Sequence, residues 1–123
     1  MKSILIADDQ DDERAIQRAL LEHLGYQVRE AADGVDALQQ VSDAPPDLVL
    51  LDIAMPRLDG LAVCRALRND PATADIPVLF YTASVGEEWE EEVARLGRCK
   101  VLIKPVDPHD VAQEVDELIG PAA

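Results

Sequence analysis

Five polar side chains stand at the ends of short apolar runs in this 123-residue chain, and their types could together hold a hard cation and a phosphoryl group. Asp8 and Asp9 follow "SILIA", Asp52 follows "LVLL", Thr82 ends "VLFYT" and Lys104 follows "VLI". Each is ordinary alone, since Asp and Thr after a strand are commonly turn or cap residues and a lysine before proline is often just solvated. Turn chemistry does not explain their joint placement after successive buried runs. Clustered carboxylates raise one another's pKa unless a divalent cation, or an amine such as Lys104, supplies positive charge. Oxygen-only ligands select Mg²⁺ or a similar ion such as Mn²⁺. Lys104 as a point charge and Thr82 as a hydroxyl donor suit phosphoryl oxygens, and a carboxylate such as Asp52 can form an aspartyl phosphate.

These side chains converge only if the elements carrying them lie side by side. Runs rich in Val, Ile and Leu at 3–7, 27–30, 48–51, 77–81 and 101–103 read as strands, and segments of helical period separate them. Ile16, Ala19, Leu20 and Leu24 mark one face of a first helix that Gly25 stops. Ala37, Leu38 and Val41 mark a second, Leu61, Cys64 and Leu67 a third, and Trp89, Val93 and Leu96 a fourth ending at Gly97. The last starts at the cap Asp107 with Pro108 in its first turn and carries Val111, Val115, Leu118 and Ile119. Near-continuous apolar strands joined by helical crossovers imply an α/β fold, a doubly wound five-stranded parallel sheet with five helices on both faces. In such a sheet the carboxyl ends of neighbouring strands surround one crevice.

The stretch "ADDQDDER" then divides in two. Asp11, Asp12 and Glu13 read as solvated acids in the first turn of a helix. Asp8 and Asp9 sit between strand and helix, where the crevice forms.

Composition narrows the partners. A formal net charge of -14 repels nucleic acid phosphate and anionic membrane surfaces, so the expected partner is a basic protein surface or a metal ion. Cys64 and Cys99 are far apart in sequence, with no CxxC and no histidine at ligand spacing, and signal neither zinc nor a redox motif. His23 and His109 carry no supporting motif and read as surface residues. The N-terminus lacks a signal-peptide apolar region and no stretch reaches membrane-spanning length, so the expected location is the cytoplasm. The length suits one domain, read as residues 1–120 with a short tail at 121–123.

Taken in order, "ADD", "LLDIAMPRLDG", "YTAS" and "IKP" resemble the receiver domain of two-component response regulators over essentially the whole chain. The resemblance implies a flavodoxin-like strand order 2-1-3-4-5. It implies that Asp52 is the phosphoacceptor, charged from a phosphohistidine of a sensor histidine kinase or a histidine phosphotransfer protein. Asp9 matches the direct Mg²⁺ ligand, Asp8 the carboxylate acting through metal-bound water, and the Ala54 backbone carbonyl a further ligand. Thr82 and Lys104 match the groups that hold the phosphoryl oxygens. The chain would catalyse only its own phosphorylation and dephosphorylation and signal through altered contacts with a downstream protein, with a homodimer as one form of contact.

The sequence departs from the family at Val101, where an aromatic usually follows the movement of the threonine. Tyr81 is the neighbouring aromatic, although adjacent strand residues point to opposite faces. Trp89 reads as a packed helix residue. Ala54 and Ser84, both small, flank the expected path of a hydrolytic water and suggest a short-lived phosphoryl group. Two other classes share parts of the pattern. A haloacid-dehalogenase-type phosphatase, which is Mg-dependent with an aspartyl nucleophile, resembles DxDx[TV], but Gln10 stands two places after Asp8. A flavin module would need Ser, Thr and Gly where the first loop is acidic. The expected form is a single-domain response regulator, with a receiver fragment of a larger regulator or hybrid kinase as the alternative.

Overall fold

A computed structural model of the chain describes residues 1–83 and 87–122. In chain order the elements are β1 (Ser3–Ala7), α1 (Asp11–His23), β2 (Gln27–Ala31), α2 (Gly34–Asp43), β3 (Leu48–Leu51), α3 (Gly60–Asn69), β4 (Val78–Thr82), α4 (Glu87–Leu96), β5 (Cys99–Ile103) and α5 (Pro108–Ile119). All strand pairs are parallel and the sheet order is β2-β1-β3-β4-β5, as the resemblance implies. Short polar side chains start three of the helices. Asp33 accepts from Asp36 N, Asp59 from Ala62 N and Asp107 from His109 N, each satisfying a backbone donor that the helix itself cannot.

The pleat of the sheet sorts side chains into two cores. Leu5, Val49, Val78 and Phe80 face α2, α3 and α4, where Ala37, Val41, Val63, Cys64, Leu67 and Val93 meet them. Ile4, Ile6, Leu48, Leu50, Leu79 and Tyr81 face α1 and α5, where Leu21, Val111 and Val115 meet them. Every residue of β3 and β4 is buried, and only Tyr81 and Thr82, at the end of β4, bring a polar side-chain atom. The chain end joins the second core. Ala122 O accepts from Lys2 N at 3.2 Å, and Gly120 O accepts from the Tyr26 hydroxyl at 2.8 Å.

One helix face differs from the period read in the sequence. On α1 the structure buries Gln17 and Leu21, whereas Ile16 is 56% and Leu24 49% exposed. Gln17 is the cause: a polar side chain occupies an inward position beside the Tyr81 hydroxyl, so counting apolar residues rotates the helix from its true phase. The faces of α2, α3, α4 and α5 follow the sequence pattern.

Gly60 fixes the distance between α3 and the sheet. A Cβ there would lie 2.3 Å from Asp52 O and 2.9 Å from Ile53 Cα, both backbone atoms that cannot swing aside. Gly60 N also donates to Ile53 O at 2.9 Å. Replacing Gly60 by Ala is therefore expected to cost about 3 kcal/mol, the upper end of the overpacking range, in urea unfolding. Gly97→Ala, at φ +71 but with no atom within 4 Å of the added Cβ, is expected to lose only about 1 kcal/mol from left-handed strain.

Candidate functional site

The sheet's hydrogen-bond ladder runs one residue past three strand ends, and those residues are the ones with chemistry. Asp8 N donates to Ala31 O at 3.1 Å, Asp52 N to Ala7 O at 2.9 Å and Lys104 N to Thr82 O at 2.7 Å. Each backbone is thus clamped to the adjacent strand while its side chain leaves the sheet. Thr82 closes β4 and is fully buried.

The three sequence-predicted carboxylates come together. Asp8, Asp9 and Asp52 each offer an oxygen, all within 4.8 Å of one another, with Asp8 and Asp52 buried and Asp9 exposed. Backbone donors orient the two buried ones: Gln10 N reaches Asp8 Oδ1 at 2.9 Å and Ala54 N reaches Asp52 Oδ1 at 3.1 Å. The Lys104 ammonium lies 3.1 Å from Asp52 Oδ2 and 3.6 Å from Asp8 Oδ2. Its third carboxylate partner is Glu13, 2.5 Å away, and it stands 4.5 Å from the centre of the Tyr81 ring.

This geometry moves the ionisations. Burial pushes the Asp8 carboxyl up to about 6, against the opposing pull of Gln10 N and Lys104, and the Asp52 charge adds to the rise. Burial likewise raises Asp52, opposed by Lys104 and Ala54 N. For Lys104 burial works against the charge, but Glu13, Asp52 and Asp8 outweigh it and its pKa rises. One permanently charged amine therefore faces more carboxylates than it can neutralise.

Two residues were misread or missed in the sequence. Glu13, expected to be a solvated first-turn acid, points inward to Lys104. Its spacing of four from Gln17 is the signal, because both share the inward face of α1. Arg14, one position on, donates to Asp8 O at 2.6 Å and pairs with Glu30 at 3.2 Å, tying α1 to the loop that carries the acids.

Tyr81 and Thr82 point to opposite sides of the sheet, so Tyr81, in the α1 and α5 core, does not stand in for an aromatic at Val101. Val101 packs on the other core and shares a groove with Trp89, Val93 and Ile103, which gives Trp89 its expected packing role. His23 and His109 are exposed. Ser84 lies outside the described residues.

Comparison with known proteins gives a consistent answer. The profile of the response regulator receiver domain matches residues 4–116. The chain is 36% identical over 119 residues to the DNA-binding dual master transcriptional regulator RpaA of Synechocystis, covering 97% of this chain and 49% of that protein. It is 34% identical over 119 residues to the alkaline phosphatase synthesis transcriptional regulatory protein PhoP of Bacillus subtilis, covering 96% of this chain and 48% of that protein. The chain thus spans about half the length of these regulators. Among solved structures, the chemotaxis protein CheY4 of Vibrio cholerae superposes with a TM-score of 0.89 at 28% identity, covering 96% of this chain and 98% of that one. The signal receiver domain of a histidine kinase from Syntrophus aciditrophicus superposes at 0.88 and 29%, covering 97% and 90%.

The raised Asp8 carboxyl has a measurable consequence for metal-free protein. Because the folded state holds this proton more tightly than the unfolded chain, raising the pH from about 4 to about 6 removes stability. Asp8→Asn, which cannot ionise, is expected to be more stable than wild type by about 1–2 kcal/mol at pH 7.5 in chelator. Urea unfolding at lower pH is expected to show this gain shrinking below pH 6 and vanishing near pH 4; a gain independent of pH would exclude Asp8 ionisation as its source.

Proposed function

This chain belongs to the response regulator receiver domain family, and we propose that its Asp52 accepts a phosphoryl group from a phosphohistidine of a sensor histidine kinase or histidine phosphotransfer protein. The observation that carries this reading is the Asp52 carboxylate, 4% exposed at the floor of an acidic crevice with an ammonium 3.1 Å away. A bond forms between an Asp52 oxygen and phosphorus as the bond from phosphorus to the donor imidazole breaks. Lys104, now shared among Asp52, Asp8 and Glu13, supplies positive charge that can follow the new anion by side-chain motion alone. The Thr82 hydroxyl is the proposed second donor to the phosphoryl oxygens.

The donor set fits a hard divalent cation. Three carboxylates within 4.8 Å, two of them buried, outnumber the single amine and present oxygen alone. Asp8, Asp9, Asp52 and the Ala54 carbonyl would hold Mg²⁺, or Mn²⁺ in its place. Such an ion neutralises charge on the transferring phosphoryl oxygens. The chain's own contribution is orientation: Gln10 N and Ala54 N each fix one oxygen of Asp8 and Asp52.

The output proposed is a change in protein contacts in the cytoplasm, not turnover of a second substrate. Among the described residues no helix is long and apolar enough to cross a membrane. The charge of -14 favours a basic protein surface over nucleic acid or anionic lipid as the target, and self-association is one form of such a contact.

Intact mass spectrometry with acetyl phosphate and Mg²⁺ tests this directly. Wild type is expected to gain one phosphoryl group and lose it after the donor is removed, while Asp52→Asn gains none and chelator prevents labelling. Labelling of Asp52→Asn to the same extent would place the acceptor elsewhere. Ala54 is small and exposed, leaving the acceptor open to water, so Ala54→Arg is expected to lengthen the phosphoryl lifetime several-fold; a shorter lifetime in that variant would reverse this reading.

A further inference from the structure

The chain's two cysteines, unrelated by any motif in the sequence, meet in the fold. Cys64 on α3 and Cys99 at the first position of β5 are 35 positions apart, yet their sulfurs lie 3.6 Å from each other. Both are free thiols, Cys64 buried and Cys99 partly exposed. The pair sits where β5 begins, at the opposite end of the parallel sheet from the acidic crevice. A disulfide needs about 2 Å between sulfurs, so closure asks for a shift of about 1.5 Å.

Arg68, one turn beyond Cys64 on α3, builds the surroundings. Its Nε donates to Leu96 O and Gly97 O, both at 3.2 Å, and its Nη2 to Arg98 O at 3.3 Å. The guanidinium thereby holds the turn that leads into Cys99, and its Nη2 lies 3.9 Å from the Cys99 sulfur. Its Nη1 is buried with no hydrogen-bond partner among the described residues. The Cys99 thiol itself donates to Gly97 O at 3.0 Å, and the Arg68 charge beside the sulfur favours the thiolate once that proton leaves.

The two thiols are unequal. The hydrogen bond from Cys64, with the Arg68 charge, holds the Cys99 thiol down to about 7 despite its burial. The same bond and burial push the Cys64 thiol far up. Cys99, the more accessible of the two, is the member placed to lose its proton first, beside the buried Cys64 thiol.

We propose that Cys64 and Cys99 form a peroxide-sensitive dithiol whose oxidation to an intramolecular disulfide ties α3 to β5. The Cys99 thiolate attacks one oxygen of the peroxide; the O–O bond breaks, Cys99 becomes a sulfenic acid, and the departing oxygen leaves as water with the proton that Cys99 released. The Cys64 sulfur then attacks the Cys99 sulfur; the S–O bond breaks and the hydroxide leaves as water with the Cys64 proton. Two thiols are oxidised by two electrons, and one hydrogen peroxide is reduced to two waters. The product fixes the turn between α4 and β5 that Arg68 already holds through three carbonyls.

The test is to expose the reduced full chain to hydrogen peroxide, quench, denature, alkylate with iodoacetamide, and record intact mass and a tryptic map. Wild type is expected to lose two hydrogens, take up no alkylating group, and yield one linked peptide containing Cys64 and Cys99 that dithiothreitol separates. Cys64→Ala is expected to stop at the Cys99 sulfenic acid, trapped by dimedone, with its fold checked by circular dichroism. The wild-type map stands without that variant. Oxygen added to Cys99 while Cys64 still alkylates, linkage only between two chains, or no change in mass at peroxide levels that oxidise a free thiol would each overturn the proposal.

Discussion

The constraint on which the rest of the structure depends is an excess of negative charge held out of water. Asp8 and Asp52 are nearly inaccessible, Asp9 and Glu13 stand beside them, and one ammonium pairs with Asp8, Asp52 and Glu13. Such a cluster is costly to keep ionised in a low-dielectric setting, and burial accordingly dominates the upward shifts of both buried aspartates. A fold optimised only for stability would remove it. The charge is retained where the backbone is most firmly held, at the first residue beyond a strand, with its N–H still bonded to the neighbouring strand.

That firmness comes from the two cores. Residues of β1, β3 and β4 are buried on both faces, so the sheet cannot tilt toward or away from the crevice without opening a cavity on one side. Gly60 brings the start of α3 onto the backbone of Asp52, and Arg14 draws α1 down onto the carbonyl of Asp8. The acids are therefore carried on a rigid frame, and mobility is left to the lysine side chain that links them. This division suits a site whose charge changes by addition of a phosphoryl group: the frame fixes the acceptor, and the long flexible cation redistributes.

The cysteine pair follows a different logic at the other end of the same sheet. It is built by a helix and a strand that each serve the α2, α3 and α4 core, and by an arginine whose main bonds go to backbone carbonyls. Nothing about it depends on the acids. Both sites nevertheless act on the same layer, since α3 starts against Asp52 and carries Cys64 one turn further on.

The sequence by itself determined the strand and helix succession, because apolar runs and helical periods are local patterns, and it determined Asp8, Asp9, Asp52, Thr82 and Lys104 as candidates, because each ends a recognisable run. It misplaced the face of α1, where the inward Gln17 broke the apolar period, and it left Glu13 among solvated acids for the same reason. It was silent on the meeting of Cys64 with Cys99. Tertiary structure alone decided these points. Which polar side chain faces inward, and which two residues 35 positions apart come within 3.6 Å, depends on how helices are seated across strands that are not neighbours in the chain, and no local pattern encodes that seating.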